Sequence, residues 1–148
     1  MRIANLNQKP TAMKKLEKLN ACGEAILYVR TQKSVAEAWK NCERGDWMLW
    51  IAKKLNVDDR KLTMTKATCV KQVEHLLKDQ RSKDALQSCF DYATGRISRE
   101  ELNILAENAD AAAYAAADVT RINSLKKSAD ICREYLTEEV LIKYRKLK

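Results

Sequence analysis

Residues 39–51 read Trp39-Lys40-Asn41-Cys42-Glu43-Arg44-Gly45-Asp46-Trp47-Met48-Leu49-Trp50-Ile51 and hold all three tryptophans of the chain. Gly45 fits the left-handed C-cap of the helix that carries Trp39, because glycine accepts that conformation at no steric cost. Asp46 suits the N-cap of a following helix, its carboxylate accepting from orphan backbone N–H groups. Trp47, Trp50 and Ile51 then fall at i, i+3 and i+4, so they share one face of that second helix. Two helices joined by so short a turn fold back on each other, and indoles are the expected filling between them. Trp39, Trp47, Trp50 and Ile51 are therefore the predicted structural core.

Outward from this corner, the composition favours helix. One proline, three glycines and many Ala, Leu, Lys and Glu residues leave few turn formers and many helix formers. A chain of 148 residues suffices for one domain that buries roughly 70% of its unfolded surface. Residues 1–10 read as a flexible arm ending at Pro10, and residues 11–148 as a single helical domain. A helix is expected from Thr11 until Gly23 interrupts it. Glu24–Arg30 (EAILYVR) fits a buried helix or a strand, and helix is favoured because no second strand is apparent to pair with it. Ser34 caps a helix through Cys42, and the helix after the corner runs to Asn56. Asp58 or Asp59 opens a long helix to about Lys78. Ser82 caps the next, which Gly95 terminates. Ser98-Arg99-Glu100-Glu101 is a capping box. The helix it opens runs through a tract in which eight of the residues 106–117 are alanine. A break is expected near residues 118–123, then helix through Leu136, with Thr137 capping a last basic helix. The prediction is an all-α protein, a single compact bundle of about seven helices.

The five cysteines, Cys22, Cys42, Cys69, Cys89 and Cys132, show no CxxC spacing. Each lies among apolar helical neighbours, where a free thiol behaves as a small hydrophobe, as a reducing cytosol allows. No apolar leader and no membrane-length apolar run is present, which predicts a cytoplasmic protein without a membrane partner.

The formal net charge is +8. Residues 1–74 hold 15 Lys and Arg against 8 Asp and Glu, whereas residues 75–148 hold 13 against 12. The basic excess thus belongs to the first half, and it attracts nucleic acid or an acidic protein alike. Lys53, Lys54, Arg60, Lys61, Lys66 and Lys71 are the candidates for a phosphate-binding surface. No helix-turn-helix, RNP-like motif, zinc knuckle or glycine-rich phosphate loop accompanies them. The tryptophans fit core packing better than base stacking by their spacing.

Catalytic signals are sparse. His75 is the only histidine, without a partner acid and nucleophile or the further ligands a metal needs. Glu107, Asp110, Tyr114 and Asp118 follow one another at +3, +4 and +4, forming one helical stripe opposite the small-residue seam. Such a stripe is a solvated face, a carboxylate site, or a recognition surface in which Tyr114 anchors a partner. The reading is a non-enzyme that requires no cofactor and no metal.

Trp39-x-x-Cys42 followed by Asp46-Trp47-Met48-Leu49-Trp50 resembles the W…DWLLW corner of bacterial immunity proteins encoded beside polymorphic toxins, with relatives in phage and prophage genomes. Ala85-Leu86, Tyr92-Ala93-x-Gly95, the run Ala109 to Ala117 and Ser128-Ala129-Asp130-Ile131-Cys132-Arg133 are similar as well. The resemblance spans roughly residues 35–135. It implies a helical, cytoplasmic, non-enzymatic protein that binds and neutralises another protein. That partner would be a toxin, or a host defence nuclease if the chain is a phage-borne inhibitor of the anti-CRISPR kind. Glu107, Asp110, Tyr114 and Asp118 are the expected partner-binding residues. The alternative is a nucleic-acid-binding accessory protein using the basic first half. A homodimer joined through the alanine seam is also compatible with the sequence.

Overall fold

The computed structural model describes residues 13–77, 80–105 and 121–147, excluding the side chains of residues 121–124. Helix α1 covers residues 13–18. It is followed by α2 (Gly23–Arg30), α3 (Val35–Asn41), α4 (Gly45–Lys54) and α5 (Asp59–Lys71). A 3-10 turn (Glu74–Leu76) leads to α6 (Gln80–Ala93), α7 (Arg99–Leu105) and α8 (Arg121–Arg145). The fold is all-α, with eight α-helices and no strand among the described residues. EAILYVR is helical, as expected.

Local signals set several of the helix ends. Ser34 Oγ accepts from the Glu37 N–H at 3.1 Å and opens α3. An Asp58 carboxylate oxygen accepts from the Lys61 N–H at 2.9 Å and opens α5. In the capping box Ser98 Oγ accepts from the Glu101 N–H (3.1 Å) while a Glu101 oxygen accepts from the Ser98 N–H (3.4 Å). Three helices close through a left-handed residue, Asn20 (φ 63°), Asn56 (φ 54°) and Gly95 (φ 86°). In each, the next residue donates five positions back: Ala21 to Leu16, Val57 to Ala52 and Arg96 to Asp91. This is the Schellman arrangement, which satisfies carbonyls the helix leaves orphaned.

α8 is the axis of the bundle. It packs on α4, α5 and α3, while α6 packs on α5 and α7 on α6. Its stripe Ala129, Cys132, Leu136, Val140 and Tyr144 is buried throughout and meets Met48 and Ala52 of α4 with Leu55 just after it, Leu62 of α5, Trp39 of α3 with Cys42 just after it, and Leu16 of α1. A second, smaller core gathers Ala67, Val73, Leu77 and Leu86, with Phe90 and Cys89 against them.

Several expected boundaries are corrected by packing. Thr137 does not begin a helix; α8 runs through it because the buried stripe continues on both sides. The Thr137 hydroxyl donates to the Arg133 carbonyl and accepts from the indole N–H of Trp39 at 2.8 Å, so it has nothing to offer a cap. α5 ends at Lys71 rather than near Lys78, the chain tightening into the 3-10 turn that carries His75 on the surface. Ser82 is buried inside α6 instead of capping it. Gly45 is no C-cap: Cys42 ends α3 in extended backbone and Gly45 is the first residue of α4. Its purpose is proximity. A Cβ there would lie 2.4 Å from Ser128 Cβ and 2.8 Å from the Ala129 nitrogen, so only glycine lets α4 touch α8 at this point. Asp46 consequently sits in the first turn of α4, not at its cap.

Candidate binding groove at the tryptophan corner

The indoles do not fill the space between the helices as a set. Trp39 is 7% exposed and belongs to the core. Trp47 and Ile51 are half-buried and pack against that core from outside. Trp50 is half-buried and lines an open groove. The reason is register. Met48, Ala52 and Leu55 form the face of α4 that α8 covers, which turns the Trp47, Trp50 and Ile51 face away from it.

Two polar anchors on α8 hold the corner from beneath. Thr137 takes the Trp39 indole N–H. Arg133 Nη1 donates to the carbonyls of Trp39 (3.2 Å) and Cys42 (2.6 Å), satisfying the C-terminal end of α3. Its other nitrogen reaches Asp130 at 2.6 Å. On the upper side the Tyr28 and Trp47 rings tilt at 47° with centroids 5.9 Å apart. The Tyr28 hydroxyl donates to the Ala38 carbonyl at 2.8 Å, and burial, aided by the neighbouring Cys42, raises its pKa to about 12. Burial likewise pushes the Cys42 thiol up. Both groups stay neutral at ordinary pH.

Between these supports lies a groove of about 350 Å³. Ala21, Ala25 and Val29 form one side, Trp47, Trp50 and Ile51 another, and Val140, Leu141 and Tyr144 of α8 the third, over a floor of Trp39 and Met48. Asp46 reaches its edge, where Arg44 clamps it through two bonds of 2.9 and 2.7 Å. Burial pushes the Asp46 carboxyl up, but the Arg44 hydrogen bonds and charge outweigh it and hold the carboxyl below the usual range. Cations cap the aromatic walls: Arg44 lies 4.4 Å from the Trp47 centroid, Lys54 5.7 Å from Trp50 and Lys15 5.5 Å from Tyr144.

Comparison with protein-family models, curated proteins and solved structures finds no match.

The six basic candidates do not form one stripe. Arg60 stacks on Tyr92 at 4.4 Å and donates to the Tyr92 carbonyl. Lys71 lies 5.3 Å from the Phe90 centroid, on the same side of α5. Lys61 turns toward α8 and Glu139 at 3.7 Å. Lys66 is exposed on another face of α5, and Lys53 and Lys54 are exposed at the end of α4. Glu107, Asp110, Tyr114 and Asp118, together with the alanine seam, lie outside the described residues. His75 is exposed. Cys42, Cys69 and Cys132 are buried free thiols as expected, and Cys89 is half-buried. Cys22 is exposed, because it ends at the N-cap of α2 rather than inside a helix. Among the described residues no group of three or more His, Cys, Asp or Glu side chains is placed to hold a metal ion, and no helix is long and apolar enough to cross a membrane.

Sequence reading did not reach the groove or the parts that Arg44, Arg133 and Thr137 play at it. Tyr28 within EAILYVR was the available signal: an aromatic hydroxyl in an apolar run needs a buried partner.

Proposed function

We propose that this protein is a cytoplasmic, non-enzymatic helical module that binds and neutralises another protein, as an immunity protein does its toxin or a phage inhibitor a host defence nuclease. The observation that carries this reading is the end of α7. Leu102 is buried and anchors the helix, while Ile104 and Leu105 are 76% and 52% exposed. The pair sets two large aliphatic side chains side by side at the surface, where a protein partner would bury them. They lead directly in sequence into Glu107, Asp110, Tyr114 and Asp118. Tyr114 is of a residue type enriched at hot spots, and the acids beside it suit the polar rim of an interface. Inhibition then follows from occlusion, for which a standard interface of about 1,600 Å² is sufficient.

Affinity capture from the native host lysate, with and without nuclease and at about 0.15 and 0.5 M salt, tests it. One stoichiometric protein retained after nuclease treatment, and lost with Ile104→Asp or Tyr114→Ala, supports the reading. Recovery of nucleic acid alone, lost as salt rises, contradicts it and favours an accessory protein that uses its basic first half.

A further inference from the structure

Where α4, α5 and α8 meet, three polar side chains are shut into the core together. Cys69 of α5 is hydrogen-bonded to the Cys132 thiol and to the Ser128 hydroxyl of α8. Cys132 Sγ also donates to the Gly45 carbonyl of α4 at 3.9 Å. Register brings the two sulfurs face to face. Leu62, Thr65 and Cys69 fall at i, i+3 and i+7 on the buried face of α5, and Cys132 follows Ala129 in the buried stripe of α8. Gly45 keeps this junction narrow, because Ser128 occupies the place a side chain there would take. Burial is graded across the pair: Cys69 is 9% exposed and Cys132 0%. The other thiols are engaged differently. Cys42 Sγ accepts from the Arg44 N–H at 3.4 Å, Cys89 packs against the second core and Cys22 stands on the surface. Packing alone does not require two sulfurs here, since alanine serves at Ala67 and Ala129 on the same two helices. A contacting thiol pair adds a chemistry that aliphatic pairs lack: it can give up two hydrogens and become one bond.

We propose that Cys69 and Cys132 are an oxidation site, forming an intrachain disulfide that hydrogen peroxide makes and a thiol reductant removes. The Cys69 sulfur, nearer the surface, attacks one peroxide oxygen and the O–O bond breaks. Cys69 becomes a sulfenic acid, and its thiol proton leaves with the other oxygen as water. The Cys132 sulfur then displaces the hydroxyl from Cys69, which leaves as water with the Cys132 proton. Two electrons pass from the thiols to the peroxide, and one S–S bond replaces two S–H bonds. Sulfurs already in hydrogen-bond contact have only to close to about 2 Å. The bond ties α5 to α8 and closes a loop that contains α6 and α7. The pair is distinct from the end of α7, so its test does not depend on the protein-binding reading.

Hydrogen peroxide treatment of the full-length protein under native conditions tests the assignment, followed by alkylation, digestion without reductant and mass spectrometry. The expected product is a Cys69–Cys132 linked peptide pair, two hydrogens lighter than its reduced parts, which dithiothreitol separates. Closing a loop of this length should raise the melting temperature by about 10 °C, and the reductant should reverse the rise. Cys69→Ser and Cys132→Ser should each abolish the rise, whereas Cys22→Ser should keep it. The wild-type peptide map decides by itself if a serine variant fails to fold. Peroxide added to the urea-unfolded chain should instead scatter the five cysteines over several pairings, because the folded contact no longer selects the partner. Cys69 and Cys132 still open to alkylation when the treated protein is denatured overturn the proposal. Linkage of either one to Cys22, Cys42 or Cys89 does the same. So does a melting temperature that the Cys69–Cys132 bond leaves unchanged or lowers. The same single pair formed from the unfolded chain also overturns it, since the folded contact would then select nothing.

Discussion

The two faces of α4 meet opposite fates. On one, Gly45, Met48, Ala52 and Leu55 close against α8 so tightly that a single methyl group at Gly45 would strike Ser128. On the other, Trp47, Trp50 and Ile51 border about 350 Å³ of open space. Gly45 and Ala52 let the two helix axes approach and the interface fill, whereas the indoles hold neighbouring elements apart and leave space between them. Stability and binding potential therefore sit back to back on one ten-residue helix. The closed face should respond to any change of volume, the open face hardly at all.

The largest contrast is expected between two tryptophans. Trp39→Ala empties a buried site and removes the indole donor to the Thr137 hydroxyl, which should cost about 3–5 kcal/mol in urea unfolding. Trp50→Ala removes only a half-covered wall and should cost about 1 kcal/mol. Similar losses would break the distinction between the faces. Next come two glycines. Gly45→Ala should cost about 2–3 kcal/mol, because Ser128 and the α8 backbone must give way. Gly23→Ala, with nothing within 4 Å of the added methyl, should be neutral or stabilising by about 0.5 kcal/mol. Thermal unfolding of the two variants sharpens where the tight contact lies.

The smallest effect concerns pH. The Asp46 carboxyl lies below its ordinary value because Arg44 overcomes the effect of burial. The Glu139 carboxyl does so because the Asp58 N–H, Lys143 and Lys61 together outweigh burial. Both contributions are present above the unfolded carboxyl values and are lost as pH falls through the lower folded values. Melting temperature should therefore drop on acidification below about pH 4.5. Asp46→Asn and Glu139→Gln should each make that drop shallower, by less than about 1 kcal/mol for such partly exposed pairs.

Much of the fold was legible because it is written in short-range chemistry. Ser34, Asp58 and the Ser98–Glu101 box cap the helices their spacing indicates, and Gly95 ends α6 through its positive φ. What failed depended on distant partners. Thr137 has the chemistry of a cap, yet the indole of Trp39, 98 positions away, and the unbroken stripe of α8 keep it helical. Gly45 reads as a terminator until Ser128 is placed against it. Of the predicted core residues at the tryptophan corner only Trp39 is buried, because periodicity gives only a shared face. It does not tell which of two adjacent faces α8 will cover.

The most direct measurement adds the same volume to each side. Ala52, fully buried on the closed face, and Ala25, lining the groove, each become leucine, and both proteins are unfolded in urea. Ala52→Leu should lose about 2 kcal/mol or more through overpacking, whereas Ala25→Leu should hold or gain stability by occupying open space. Equal destabilisation would show that the groove side is as full as the other, and would contradict the account.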